Sequence, residues 1–113
     1  MKPAPFDYYD PDSVEEVLDL LQQYGDNAKI LAGGQSLGPL LNMRLSTPQI
    51  IVDLNRVADL EYYKSDGTGL RVGAMTRQST LEDDTNLRTT QPILAASIPY
   101  IGHRSIRNRG TVG

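Results

Sequence analysis

The stretch Ile30-Leu31-Ala32-Gly33-Gly34-Gln35-Ser36-Leu37 passes within eight residues from an apolar segment through paired glycines to a serine placed to cap a helix. Glycine lacks a Cβ and holds positive φ, so successive backbone N–H groups can converge on an anion that approaches closely. The chemistry this offers is phosphate binding through the main chain. Leu37, Leu40, Leu41 and Leu45 follow at helical spacing with Pro39 in the first turn, where its missing N–H costs little. That places a helix N-terminus at the same anion. A dinucleotide fingerprint needs G-x-G-x-x-G, and a P-loop needs Lys-Ser or Lys-Thr after its last glycine. Gly33 and Gly38 have the P-loop separation, but Pro39-Leu40 follows, which removes the lysine on which kinase and NTPase readings depend. The competing reading is a tight strand-to-helix turn, and spacing alone does not separate the two.

A second candidate lies in Gly102-His103-Arg104-Ser105-Ile106-Arg107-Asn108-Arg109-Gly110-Thr111-Val112-Gly113, where three arginines and three glycines gather in an otherwise acidic chain. It reads either as another anion-binding loop or as a solvated basic loop. RNA binding through it lacks a second basic patch or an aromatic platform. His103 has no Ser or Cys nucleophile motif beside it, and no G-x-S-x-G elbow occurs. Packing or surface is its expected place. The acidic pairs Glu15-Glu16 and Asp83-Asp84 fall on expected helix exteriors or ends, where dipole and solubility explain them.

Composition narrows the classes. The 113 residues suffice for one domain with a core, and 39% hydrophobic with 22% charged is ordinary for a globular protein. A net charge of -3 argues against nucleic acid as the main partner. Zero cysteines removes thiolate catalysis and Cys-ligated zinc or iron–sulfur centres, and one histidine rules out a His-rich metal site within the chain. No run approaches the ~20 apolar residues of a membrane span, and the N-terminus has no signal-peptide core. The expectation is a cytoplasmic protein.

The elements that must position these loops read as follows. Residues 1–12, with Phe6, Tyr8 and Tyr9, suit an extended opening strand. Ser13-Val14-Glu15-Glu16 is a capping box, and Val14, Val17, Leu18, Leu21 and Tyr24 give the following helix one apolar face that Gly25 ends. Ala28–Ala32 reads as a buried strand delivering the glycine loop at its carboxyl end, and Gln49–Leu54 as a β-branched strand pairing parallel to it, a βαβ unit with a right-handed crossover. Two subdomains are expected, 1–56 and 57–113. In the second, Leu60–Lys64 and Leu70–Ala74 flank Asp66-Gly67 as a hairpin. Ser79-Thr80-Leu81-Glu82 reads as a capping box opening a short helix, and Pro92 opens a helix over Ile93–Ile98.

Taken together, Ala32-Gly33-Gly34-Gln35-Ser36-Leu37 and Arg107-Asn108-Arg109-Gly110-Thr111-Val112-Gly113 resemble the two flavin-binding signatures of the FAD-binding domain of molybdopterin dehydrogenases. This is the medium subunit of the xanthine dehydrogenase family, and the chain is most similar to the carbon monoxide dehydrogenase medium chain type. The resemblance extends over Phe6, Tyr8, Tyr9 and Pro11, Val52-Asp53-Leu54 and Val72-Gly73-Ala74-Met75-Thr76. It implies an α+β fold of the PCMH FAD-binding type, with a small N-terminal βαβ subdomain followed by the start of a mixed, antiparallel one. It also implies FAD as cofactor, its diphosphate wrapped by Ala32, Gly33, Gly34, Gln35, Ser36 and Leu37 and closed by Thr111, Val112 and Gly113, with Ile101 and Gly102 near the flavin ring.

The role implied is that of an FAD-dependent oxidoreductase subunit in electron transfer. A molybdenum-cofactor large subunit and a [2Fe-2S] small subunit would be its partners, and NAD, a quinone or oxygen the acceptor. The family's second signature normally continues past the position of Gly113, so a truncated domain is expected, with an open sheet edge suited to homo-oligomerisation. A non-enzymatic scaffold or subunit-interaction module without flavin is the alternative, and a general phosphate or nucleotide binder built on the βαβ unit alone is a third.

Overall fold

The computed structural model describes residues 1–113, which divide into two compact units, Met1–Asp59 and Leu60–Gly113. In the first, β1 (Asp7–Tyr9), β2 (Ala28–Leu31) and β3 (Ile50–Asp53) form a parallel sheet in the order β1-β3-β2. Asp7 lies opposite Ile50, and Ala28 through Leu31 lie opposite Ile50 through Asp53. β3 is buried along its whole length, with Val52 at 0% exposure. This is what a continuous β-branched run between two parallel neighbours requires. The parallel pairing of the two strands around the glycine loop is as the sequence implies.

β2 differs from its sequence reading. It is an edge strand that leaves Lys29 and Ile30 exposed, because β3 pairs with it on one side and no strand pairs with it on the other. Helix α1 (Val14–Tyr24) begins at Ser13, whose hydroxyl accepts from the Glu16 N–H at 3.2 Å, and stops at Gly25 with φ 52°. Its buried residue is Val17. Leu18, expected on the core face, is 59% exposed, and Val14 is exposed as well. The apolar stripe turns instead through Val17, Leu20, Leu21 and Tyr24, and the Tyr24 hydroxyl meets that of Tyr9 on β1 at 2.9 Å.

Helix α2 (Leu37–Asn42) is shorter than the leucine spacing predicts. Arg44 takes φ 56°, its N–H donates to Leu41 O, and the Leu45 N–H reaches back to Leu40 O. This is the Schellman closure, here with a non-glycine residue in the left-handed position. Arg44 Nε is anchored to Lys2 O at 2.9 Å. Leu45 therefore lies beyond the helix and is exposed.

In the second unit, β4 (Tyr63–Ser65) and β5 (Leu70–Val72) form the expected antiparallel hairpin. The Asp66 carboxylate closes its turn by accepting from the N–H groups of Thr68 and Gly69 at 3.0 and 3.1 Å. Four short helices follow: α3 (Gln78–Asp83), α4 (Leu87–Thr90), α5 (Pro92–Ser97) and α6 (Arg104–Arg109). Leu81, Leu87 and Ile98 form the core, with Tyr63, Leu70, Val72, Leu94 and Ala95 packed on it. Pro92 occupies the first turn of α5 as its sequence predicts.

The capping box expected at Ser79 does not form. α3 starts two residues earlier, with Arg77 extended at φ -69°, ψ 139° as its cap, so Ser79 lies inside the helix. Glu82, the box's acidic member, binds arginines instead. No helix is long and apolar enough to cross a membrane.

Candidate cofactor-binding site

The glycine loop starts where β2 ends. Gly33 is buried, and Gly34 holds φ 76°, a conformation that strains any residue with a Cβ. The first N–H after the strand to join the backbone hydrogen-bond pattern is that of Gly38, which donates to Gly34 O at 2.9 Å. The N–H groups from Gly33 to Leu37 precede it and make no backbone hydrogen bond. Ser36 does not cap α2 as expected: it is already helical at φ -101°, ψ -52°, and its side chain makes no capping bond, since a capping residue needs an extended backbone. The turn is closed by Gly34 instead, and the Ser36 side chain is exposed.

Carbonyls in this loop are held by side-chain amides. Gln35 Nε2 donates to Gly33 O at 3.3 Å, and Asn55 Nδ2 donates to Ala32 O at 3.0 Å. Asn55 is in turn fixed by Asp53, whose Oδ1 accepts from the Asn55 N–H at 2.8 Å and from Nδ2 at 2.6 Å. The other oxygen, Oδ2, accepts from the Tyr8 hydroxyl at 2.5 Å. That bond, reinforced by the burial of the pair and the Asp53 charge, pushes the Tyr8 phenol up to about 12. Side chains of Tyr8, Asp53 and Asn55 thus link the carboxyl ends of all three parallel strands. Sequence reading missed the pair; the Asp-x-Asn spacing at a strand end, an Asx-turn pattern, is the signal that could have found it.

The second stretch is neither of the loops the sequence suggests. Arg104 to Arg109 are helical, and two of the three arginines are engaged by carboxylates. Arg107, 8% exposed, places Nε 2.7 Å from Glu82 Oε2 and Nη2 3.0 Å from Oε1. Its Nη1 donates to the carbonyls of Pro99, Ile101 and Gly102 at 3.3, 3.2 and 3.0 Å. Arg104 pairs with Asp83 at 2.6 and 2.7 Å and with Glu82 at 3.0 Å. Arg107 beside Glu82, and Arg104 beside Asp83, hold both carboxyls below the ordinary range. An anion would have to displace these carboxylates, so Arg104 and Arg107 shape the unit rather than offer positive charge to a ligand. Ile101 is partly exposed, and Gly102 turns the chain at φ 54° with its carbonyl on Arg107.

Beyond α6, residues 110–113 run antiparallel to 74–78. Gln78 N–H donates to Gly110 O at 2.9 Å, Val112 N–H to Thr76 O at 3.0 Å and Gly113 N–H to Ala74 O at 2.9 Å. Arg77 and Thr111 face each other as the non-hydrogen-bonded pair of this bridge. Val112 and Gly113 therefore have committed N–H groups. The close approach needs glycine at Gly113, where a Cβ would meet Ala74 Cβ at 2.7 Å and its Cα at 3.0 Å, whereas one at Gly110 would meet the terminal Oε1 of the flexible Gln78 side chain at 2.8 Å and Ile106 O at 3.1 Å.

Residues 4–113 match the family described as the FAD binding domain in molybdopterin dehydrogenase. This chain belongs to that family. It is 48% identical to the 6-hydroxypseudooxynicotine dehydrogenase complex subunit alpha of Paenarthrobacter nicotinovorans, over all of this chain and 38% of that one. It is 40% identical to the caffeine dehydrogenase subunit beta of a Pseudomonas species, again over all of this chain and 38% of the relative. Among solved structures, carbon monoxide dehydrogenase from Hydrogenophaga pseudoflava superposes with a TM-score of 0.95 at 38% identity, covering 100% of this chain and 39% of that one. The chain thus spans about two fifths of the length of the relatives it matches. FAD is the family's cofactor. The chemistry of the glycine loop fits its diphosphate: main-chain N–H groups without a backbone partner, a glycine at positive φ, and an Asp53 carboxylate whose oxygens accept from Tyr8 and Asn55.

Proposed function

We propose that this chain is the N-terminal portion of the FAD-binding, electron-transfer subunit of a molybdenum hydroxylase, working in the cytoplasm with a molybdenum-cofactor large subunit and a [2Fe-2S] small subunit. The observation that carries the reading is the glycine loop: main-chain N–H groups from Gly33 to Leu37 that make no backbone hydrogen bond, behind a glycine at φ 76°. Ala32, Gly33, Gly34, Gln35, Ser36 and Leu37 bind the diphosphate through the backbone. In the second unit the resemblance names Ile101, Gly102, Thr111, Val112 and Gly113 as candidate cofactor contacts, with the Val112 and Gly113 N–H groups and the Thr111 hydroxyl already bonded within that unit. Bound FAD supplies two-electron and one-electron redox chemistry, and the chain supplies its placement. The relatives are named for a nicotine derivative, caffeine and carbon monoxide. Such unlike substrates on one scaffold favour a shared electron-transfer role for it, with substrate chosen elsewhere in the complex.

The test is the visible absorption spectrum of the purified chain before and after incubation with FAD and desalting. A retained flavin band is the expected result. A folded protein that stays colourless would overturn flavin capture by this chain and favour a scaffold that docks partner subunits.

A further inference from the structure

We propose that Asn55, held by Asp53, is the positioning residue of the glycine loop and sets the direction in which the Gly33 N–H points. The inference rests on the FAD reading for its functional consequence, but its geometry stands on the loop itself. A trans peptide unit is planar, with the C=O of one residue and the N–H of the next on opposite sides. Fixing the Ala32 carbonyl therefore fixes the Gly33 N–H in the opposing direction. Asn55 Nδ2 makes that fixing bond at 3.0 Å, and Gln35 does the same one unit later by donating to Gly33 O, which aims the Gly34 N–H.

Asn55 can do this because it is not free to rotate. Its own N–H and its Nδ2 both donate to Asp53 Oδ1, and Asp53, at the end of the buried central strand, is held through its second oxygen by Tyr8. The amide is exposed, so its removal leaves the core of the unit intact. Donors aimed before the anion arrives need no reordering on binding. Asn55 touches no ligand in this scheme and acts through the loop.

Asn55→Ala deletes the Nδ2 donor yet keeps the main-chain bond to Asp53, which any residue there can make. In the full chain, {¹H}–¹⁵N relaxation should show Gly33 and Gly34 passing from rigid to flexible, with order parameters below about 0.6. The FAD dissociation constant should rise about tenfold, the worth of one well-formed hydrogen bond, while the midpoint of thermal unfolding stays within about 2 °C. Unchanged relaxation at Gly33 with unchanged FAD affinity would overturn the inference and leave the proposed function standing. A lowered unfolding midpoint with an unaltered Gly33 signal would also overturn it, by making Asn55 merely structural. If the parent chain bound no FAD but Gly33 loosened in the variant, the FAD reading would fall and the positioning role would stand.

Discussion

Arg107 and Arg104 lie three residues apart and both face carboxylates, but their surroundings make them unequal. Arg107 is 8% exposed and uses all three guanidinium nitrogens, two on Glu82 and the third on three carbonyls of 99–102. Arg104 is 45% exposed at its side chain and bonds other side chains only. A planar fork has no lysine equivalent, and exposed ion pairs contribute little. Arg107→Lys should therefore lower the unfolding midpoint by roughly 5–10 °C, and Arg104→Lys by no more than about 2 °C, as followed by circular dichroism. Equal losses would mean that the carbonyl clamp contributes nothing. The basic composition of this segment is legible in the sequence, but its use is not: the acidic partners sit over twenty residues upstream, and only the packing of α3 on α6 brings them together.

Legibility varies in the same way among the elements. The strongest local signals survive: a β-branched run becomes the buried middle strand, Asp66-Gly67 turns a hairpin, Gly25 stops α1 and Pro92 opens α5. Where two local patterns compete, tertiary demand decides. Ser79 to Glu82 has the spacing of a capping box, yet Glu82 is drawn to Arg107 and the helix opens at Arg77 instead. The glycine loop was identifiable from its residue types, whereas Asp53 and Asn55 behind it offered only the spacing of an Asx turn, since their hold on Ala32 O depends on which strand ends meet. In α1 the heptad-like spacing overstates the buried face, and a paired substitution measures by how much. Val17→Ala should cost about 2 kcal/mol, in line with the loss of buried methyl groups, while Leu18→Ala should change stability by less than about 0.5 kcal/mol. Denaturant midpoints of the two variants provide the comparison, and a larger loss at Leu18 would place the helix on its other face.

At the scale of the whole molecule, pH response follows from where the perturbed groups lie. Glu82 and Asp83 are held low by Arg107 and Arg104, and Asp66 by the Thr68 hydroxyl and the hairpin N–H groups; all three belong to 60–113. A carboxyl with a lowered folded value stabilises the fold above its unfolded value, near pH 4, and that contribution is lost as pH falls through the folded value. For Tyr8, in 1–59, the sign reverses. Its raised value favours the protonated phenol, so its contribution is complete below about pH 10 and disappears on approach to about 12. Acid should consequently loosen the second unit first, whereas raised phenols lie in both units, Tyr8 in the first and Tyr63, bonded to Asp84, in the second, so alkali does not separate them. Hydrogen exchange read by mass spectrometry on peptides from each unit tests this: at about pH 3, amides of 78–109 should gain exchange, after correction for intrinsic rates, before those of 50–53. Simultaneous opening of both segments would show that the arginine–carboxylate contacts do not govern acid stability. Conversely, restoring the order of opening with Arg107→Lys already in place would assign the effect to charge rather than to the guanidinium geometry.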